Sequence, residues 1–280
     1  MTKPTCMIYS LAFGAPKPMH RFIFDNWASA DFAHFRLFTD QAENWRKNIH
    51  PGISNIEIID IQLLDWFRVF FPYFHVSSHV ELIQKYPEFF HDDLTGWNAC
   101  CLKPLFTQFD NTSTPAIWGW VDYDVLLNPS ALKRHLIEND DKDLLMFPVG
   151  GGVWEQFKLF RSNVDVTDFC KRIIDAPRPD PAPLDVMVSY QIRGLGSPMD
   201  DIAQNMVASH WKYSDCGDFP ENKFGVTIDD NMKLMSDSGR EILFFIADTE
   251  TKYYTEGDVR IIIEQLNKKM NYKFEYVPAP

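Results

Sequence analysis

The feature that most constrains the fold is an apolar run interrupted by two carboxylates. Residues 117–127 read Ile-Trp-Gly-Trp-Val-Asp-Tyr-Asp-Val-Leu-Leu, a pattern typical of a buried β-strand everywhere except at Asp122 and Asp124. Side chains two residues apart point to the same side of an extended strand. Because two unpaired carboxylates beside an apolar core are costly, we expect a cation between them, and a divalent metal ion is the simplest candidate. The pair therefore predicts a site for a metal ion and a phosphate group.

The composition of the chain restricts its possible partners. The 280 residues are 45% hydrophobic and 24% charged, which is ordinary for one globular α/β domain. The 27 basic residues are outnumbered by 39 acidic ones, which gives a net charge of -12. Nucleic acids and anionic lipids require concentrated Lys and Arg, so neither is an expected partner. We expect small molecules and a metal ion instead.

The cysteines and the N-terminal residues indicate a cytoplasmic protein. The five cysteines are scattered along the chain and form no C-x-x-C pair, which favours reduced thiols. The apolar stretch near the N-terminus is too short for a signal peptide and lacks a small-residue cleavage site. No stretch of the sequence is apolar for long enough to predict a transmembrane helix.

Apolar runs suited to strands alternate along the chain with helical patterns. Strands are predicted at 7–13, 33–38, 55–61, 117–127, 144–148 and 157–161, and helices at 19–30, 79–86, 97–109 and 130–138. A proline-rich loop is predicted at 177–183, then a helix at 259–266 and a strand at 272–276. This order predicts a single α/β domain with an open, mostly parallel sheet flanked by helices, and with ligands at the carboxyl ends of the strands. Asp40 and Asp122 both lie where such strands end.

Four short segments together resemble glycosyltransferases of the GT-A fold. They are Thr39-Asp40 after the second strand, Lys103-Pro104 in a helical segment, the aromatic strand 117–125 with its Asp-x-Asp-Val, and residues 157–163, Phe-Lys-Leu-Phe-Arg-Ser-Asn. The similarity is to small glycan-assembly transferases of bacteria and large DNA viruses, and a chlorovirus-type enzyme that adds xylose to a glycan is a narrower match. The resemblance covers residues 6–165 and is thin beyond them.

The resemblance implies a single GT-A-like, Rossmann-type domain with two halves. Residues 1–128 would bind a nucleotide sugar, with UDP as the expected nucleotide and UDP-xylose as a candidate donor, and residues 129–280 would bind a glycan acceptor. Such a donor leaves as a diphosphate, whose negative charge calls for a divalent ion that bridges the phosphates. Carboxylate oxygens are ligands that Mn²⁺ and Mg²⁺ prefer.

The resemblance also assigns roles in donor binding. Asp124 would bind the metal ion directly, while Asp122 would reach the ribose, or the metal ion through a water molecule. Lys103 would place a positive charge near the diphosphate or the sugar. Residues at the ends of the first two strands would hold the base and the ribose, namely Ala12, Phe13, Thr39 and Asp40.

Two further roles fall late in the chain. The family places a metal-binding histidine after a strand like residues 241–247, where this chain has Asp248, so Asp248 is the expected third ligand. His210 is interpreted as a surface or capping histidine. For an inverting reaction Asp185 is the expected general base, because it begins a helical pattern directly after the proline-rich loop. Glu155 is the alternative contact to the acceptor. A retaining reaction would need no such base.

Two other functions fit the same residues. In a phosphatase of the haloacid dehalogenase type, Asp122 would be the nucleophile and Asp124 the acid/base. That motif normally opens its fold near the N-terminus, whereas here an α/β half precedes it. A non-catalytic sugar-binding module would keep aromatic platforms and need no metal ion. The second Asp-x-Asp of the chain, at Asp141 and Asp143, lies in a run of charges and is interpreted as a solvated helix end.

Overall fold

A computed structural model of the chain describes residues 6–17, 19–87, 90, 96–100, 102–109, 115–142, 144–146, 148–149, 152–153, 157–162, 166–175, 213–215, 226–228, 232–236, 241–242 and 244–246. Its strands are β1 (Cys6–Leu11), β2 (Ala33–Thr39), β3 (Ile56–Asp60), β4 (Ile117–Val121), β5 (Val125–Leu127), β6 (Leu144–Met146), β7 (Pro148–Val149), β8 (Gly152–Val153), β9 (Phe157–Arg161), β10 (Tyr213–Asp215), β11 (Val226–Ile228), β12 (Leu234–Ser236), β13 (Glu241–Ile242) and β14 (Phe244–Ile246). Its helices are α1 (Met19–Ala28), α2 (Ala42–Arg46), α3 (Leu63–Phe74), α4 (His79–Lys85), α5 (Gly96–Cys100), a 3-10 helix (Lys103–Phe109), α6 (Pro129–Glu138) and α7 (Val166–Asp175). The predicted elements at 177–183, 259–266 and 272–276 lie outside the described residues.

The main sheet of the described residues has seven strands in the order β10-β6-β9-β4-β1-β2-β3. β1 pairs in parallel with β2 and β4, β2 with β3, and β6 with β10, while β9 runs antiparallel to β4 and β6. The predicted α/β class, with a mostly parallel sheet flanked by helices, is therefore confirmed. None of the described helices is both long and apolar enough to cross a membrane.

Both faces of the sheet are covered, as strand β1 shows. All 6 of its residues are buried, and its apolar residues divide between two apolar clusters, so that Ile8 belongs to one cluster and Tyr9 to the other. The cluster around Ile8 includes side chains of α1 and α6, and the cluster around Tyr9 includes side chains of α3, the 3-10 helix and α7. A strand that is buried on both faces needs a nearly continuous apolar run, and in β1 only Ser10 interrupts it.

The order of the strands reverses beside β1. β2 and β3 are added on one side of β1, and the chain then returns to lay β4 on its other side. In open α/β sheets, ligands bind at the carboxyl ends of the two strands where such a reversal occurs. Because β1 ends at Leu11 and β4 at Val121, the first residues beyond these strands are Ala12 and Asp122.

Strand β4 approaches β9 closely at a glycine. Gly119 lies opposite Leu159 in the antiparallel pair, and a Cβ atom at this position would lie 1.9 Å from the carbonyl oxygen of Lys158. No side chain fits into that space, so the pairing of β4 with β9 requires glycine here. On the other face of β4, the ring of Trp120 packs against Phe160 with centroids 5.4 Å apart.

Two predicted elements differ from the structure. The predicted helix at 97–109 is divided into α5 and the 3-10 helix, because Pro104 lacks an N–H and would clash with an earlier carbonyl in one continuous α-helix. The predicted strand at 117–127 is also divided, since β4 ends at Val121 and β5 pairs with β14 in a separate two-stranded sheet. Helices α2, α3 and α7 lie outside the predicted helices.

Candidate functional site

The two carboxylates of the interrupted apolar run lie in a turn. After β4 the chain turns at residues 122–124, and the N–H of Val125 donates to the carbonyl oxygen of Asp122 (3.1 Å) at the start of β5. The prediction that Asp122 and Asp124 point the same way from one extended strand is therefore wrong. The chain bends here because β5 leaves the main sheet for other partners.

Those partners are β14 and two side chains of α1. The amide of Asn26 pairs with the backbone of Leu127 in both directions, donating to its carbonyl oxygen (2.8 Å) and accepting its N–H (2.7 Å). The indole N–H of Trp27 donates to the carbonyl oxygen of Val125 (2.8 Å). On the other side of β5, Ile246 of β14 lies opposite Val125. Because these hydrogen bonds to α1 are buried, breaking them is costly, and they fix the exit of the turn.

Asp122 has a cationic partner within the chain. The ammonium nitrogen of Lys103 lies 2.8 Å from Oδ1 of Asp122, and the two side chains are 6% and 25% exposed. A buried lysine is stable only when it is paired and hydrogen-bonded, which explains the contact. A divalent metal ion is the cation predicted beside the carboxylates, and for Asp122 the structure supplies an ammonium group instead. Asp124, in the same turn, is half-buried.

A carboxylate joins the segments that follow β1 and β2. Oδ1 of Asp40 accepts the N–H of Gly14 (2.9 Å), and the indole N–H of Trp45 donates to the carbonyl oxygen of Gly14 (2.8 Å). Gly14 has a φ of 107°, a conformation that residues with a side chain rarely adopt. Both backbone polar groups of this glycine therefore hold the loop after β1 in place.

The four residues predicted to hold the base and the ribose differ in exposure. Ala12 and Thr39 are 3% and 0% exposed, and the hydroxyl of Thr39 accepts the N–H of Gln41 (3.2 Å). Phe13 and Asp40 are half-buried. The side chains of Phe13 and Asp40 are thus accessible at the ends of the strands, whereas Ala12 and Thr39 belong to the support beneath them.

Phe13 connects this edge of the sheet with the segment that precedes Lys103. A Cβ atom at Gly96, the first residue of α5, would lie 3.3 Å from Cβ of Phe13, so the backbone of α5 passes close to that side chain. The ring of Phe13 meets Trp66 edge-on, with centroids 6.5 Å apart. The start of α5 and the ammonium of Lys103 therefore lie at the same edge of the sheet as the ends of β1 and β4.

A histidine that the sequence patterns did not single out packs against the turn. His20 is 1% exposed, and its ring centroid lies 5.3 Å from that of Tyr123 and 4.7 Å from that of Trp45. Its Nδ1 accepts the N–H of Lys17 (2.7 Å), and among the described residues its buried Nε2 has no hydrogen-bond partner. Burial, and then the charge of Lys17, lower the pKa of His20 to about 4. His20 is therefore a neutral part of the core beneath the turn.

Four residues with predicted roles lie outside the described residues, and their roles stay predictions: Glu155, Asp185, His210 and Asp248. Within the part of the chain that the structure describes, no three His, Cys, Asp or Glu side chains form a group that could hold a metal ion. A metal ion at the turn would therefore take further ligands from substrate, water or residues beyond that part.

Several solved structures similar to this chain are glycosyltransferases. The galactosyltransferase LgtC, solved with donor and acceptor sugar analogues, is 11% identical with a TM-score of 0.38, and the match covers 97% of both chains. PaToxG glycosyltransferase is 13% identical with a TM-score of 0.39, over 74% of this chain and 76% of that chain. Mouse xyloside xylosyltransferase 1 is 11% identical with a TM-score of 0.39, over 75% of this chain and 78% of that chain. No protein-family model matches the chain, and no curated protein matches it in sequence.

The burial of His20 predicts a loss of stability in mild acid. In the unfolded chain the imidazole takes up a proton near its ordinary pKa of 6.5, whereas in the folded protein it does so near pH 4. Stabilisation that is fully present above pH 6.5 is therefore lost as the pH falls towards 4, by roughly 3 kcal/mol in total. As the pH falls across this range, we expect the free energy of unfolding of the wild type to decrease towards that of His20→Asn. The asparagine side chain still offers an acceptor to the N–H of Lys17, but it does not titrate.

Urea unfolding at several pH values between 7 and 4.5 measures this convergence. His79→Asn, which removes an exposed histidine at the start of α4, is the control. A difference between the wild type and His20→Asn that stays constant with pH would contradict the assignment of a buried neutral imidazole.

Proposed function

We propose that the chain is a metal-dependent glycosyltransferase that transfers a sugar from a UDP donor to a hydroxyl group of a glycan acceptor. The observation that supports this function best is the meeting of the ends of β1, β2 and β4 at one edge of the sheet, with the Lys103–Asp122 pair in the turn after β4. This edge is the point of strand-order reversal, where open α/β sheets bind ligands. The motif resemblance selects a nucleotide sugar as that ligand.

The charges at this edge support a metal ion together with a diphosphate. Asp40, Asp122 and Asp124 follow the strand ends, and Lys103 contacts Asp122. A diphosphate alone would meet a surplus of carboxylates, so a divalent cation is needed to reverse the local charge. Carboxylate oxygens suit Mn²⁺ and Mg²⁺. When bound, the metal ion would neutralise charge on the leaving diphosphate.

We assign direct metal binding to Asp124 rather than to Asp122. One oxygen of Asp122 already accepts from the ammonium of Lys103 at 2.8 Å, so a second cation at that carboxylate would lie close to the first. Asp122 would then contact the ribose, or the metal ion through water. Lys103 would place a positive charge near the diphosphate or the sugar.

Asp248 is the proposed third carboxylate of the metal site. The supporting observation is the register of β14 on β5, in which Ile246 lies opposite Val125, the residue directly after Asp124. Asp248 follows Ile246 by two residues, and two residues of chain span at most about 7 Å. The length of chain beyond Ile246 therefore allows a carboxylate at position 248 to reach the turn.

The nucleoside is proposed to bind between Phe13 and Asp40. Oδ1 of Asp40 is used by the N–H of Gly14, which orients the carboxylate and leaves its second oxygen for a ribose hydroxyl. The half-buried ring of Phe13 offers an apolar face to the base. Ala12 and Thr39, which are buried, would act by keeping the strand ends in place. Because of the motif resemblance, UDP-xylose is the first donor to assay. The cytoplasmic location of the protein stays a prediction from the cysteine content.

Loss of Asp124 should abolish metal-dependent nucleotide binding. Asp124→Ala removes the proposed direct ligand, so we expect the increase in UDP affinity that Mn²⁺ produces to fall by at least about 100-fold. Loss of a residue that only hydrogen-bonds to a metal ligand costs up to about 100-fold in metal affinity, and loss of a direct ligand should cost at least as much. Calorimetric titration of UDP with and without Mn²⁺ measures it. Asp141→Ala is the matched control, because Asp141 belongs to the other Asp-x-Asp of the chain and its side chain is 57% exposed. Metal-dependent affinity that survives in Asp124→Ala would refute the site.

The same titration separates the proposal from its alternatives. A phosphatase that uses Asp122 as nucleophile would hydrolyse small phosphate esters and show no metal-dependent preference for UDP. A sugar-binding module would bind saccharides without Mn²⁺.

Asp185 is the proposed general base of an inverting reaction. Asp185→Asn should keep the affinity for UDP and Mn²⁺, because the residue is assigned to the acceptor half at 129–280, and should lower the rate of transfer by on the order of 10²-fold or more. Transfer rates from UDP-xylose to a panel of glycan acceptors, measured beside UDP titrations, test this separation. Near-wild-type transfer would exclude Asp185, and Glu155→Gln is then the variant to examine.

A further inference from the structure

The ammonium of Lys103 is held in place by the core. Lys103 is the first residue of the 3-10 helix and is 5% exposed, and the next three residues, Pro104 to Phe106, are also buried. The ring of Phe106 packs between those of Phe38 and Trp66, with centroids 6.0 and 5.3 Å away. Pro104 also fixes the backbone directly after Lys103. The core therefore fixes the backbone that carries Lys103, whose side chain is itself only 6% exposed beside Asp122.

This arrangement puts a permanent positive charge at the proposed metal site. The ammonium lies 2.8 Å from Oδ1 of Asp122, and Asp124 follows two residues later in the same turn. A divalent cation at Asp124 would be attracted by the carboxylates and repelled by the ammonium, and at partly buried positions such interactions are screened only weakly by salt. A diphosphate that arrives with the metal ion adds negative charge and offsets this repulsion.

We propose that Lys103 is a built-in counter-ion that makes metal binding conditional on the nucleotide diphosphate. This inference rests on the proposed function and concerns the regulation of the same site. Without nucleotide, Lys103 neutralises Asp122 and keeps the affinity of Asp124 for the metal ion low. With nucleotide, the ammonium is shared between Asp122 and the diphosphate, and the metal ion binds tightly. Lys103 is thus a positioning residue whose charge couples the two ligands.

The test is the affinity for Mn²⁺ alone. Lys103→Met removes the competing charge and keeps most of the apolar stem, so we expect Mn²⁺ to bind the nucleotide-free variant about tenfold more tightly than it binds the wild type, with a smaller further gain on adding UDP. Electron paramagnetic resonance of free Mn²⁺ measures both affinities. Lys142→Met is the matched control, because it removes a half-buried lysine that pairs with Asp141 at 2.9 Å and changes the net charge equally.

A second variant separates this role from a purely structural one. Asp122→Asn in the Lys103→Met background should remove the gained Mn²⁺ affinity, because the released carboxylate is its source. Circular dichroism and thermal unfolding show whether Lys103→Met is folded. If it is not, the same measurements are made on Lys103→Gln. Equal or weaker Mn²⁺ affinity in the folded variant overturns the inference. Failure of the proposed function is distinct: the wild type would then show no Mn²⁺-dependent affinity for UDP, and the inference would fall with it.

Discussion

The burial of strand β4 between β1 and β9 determines where the charged groups of this chain can go. β4 is hydrogen-bonded on both edges, and at Gly119 the backbone of β9 comes so close that no side chain fits. An unpaired carboxylate within β4 would be buried at a high cost, and Asp122 and Asp124 lie beyond its carboxyl end, where the chain leaves the sheet. Because the strand order reverses between β1 and β4, that end is also the place where an open α/β sheet accepts a ligand. The position of the turn and its suitability as a site thus have one cause.

The main sheet could be predicted because its signals are local. β1 is a short, mostly apolar run, and β2, β3 and β9 carry spaced apolar residues between polar ones. The start of α6 is marked by Asn128, whose side chain accepts the N–H of Ala131 (3.2 Å). Helix α3 was missed although Trp66, Phe67, Phe70 and Phe74 have helical spacing and are buried. Its many aromatic residues favour strands on propensity alone, and Pro72 lies inside it. Packing on the sheet overrides both preferences.

The details of the site depend on contacts between distant parts of the chain, and these could not be predicted. The turn at residues 122–124 exists because Asn26 and β14, far away in the sequence, hydrogen-bond to β5. The ammonium beside Asp122 comes from Lys103, where the local pattern predicted a metal ion. His20 had a local signal, since it precedes Ile23, Phe24 and Trp27 at helical spacing and so occupies the buried stripe of α1. A polar residue in such a stripe is easily overlooked beside apolar neighbours.

The central claim is that a divalent metal ion and a nucleotide diphosphate bind together at the turn after β4. Anomalous diffraction at the manganese absorption edge, from crystals grown with UDP and Mn²⁺, tests it most directly. We predict a manganese peak within about 2.3 Å of a carboxylate oxygen of Asp124 and in contact with the diphosphate. Nucleotide bound elsewhere on the molecule, or bound at this edge with no manganese beside Asp124, would contradict the claim.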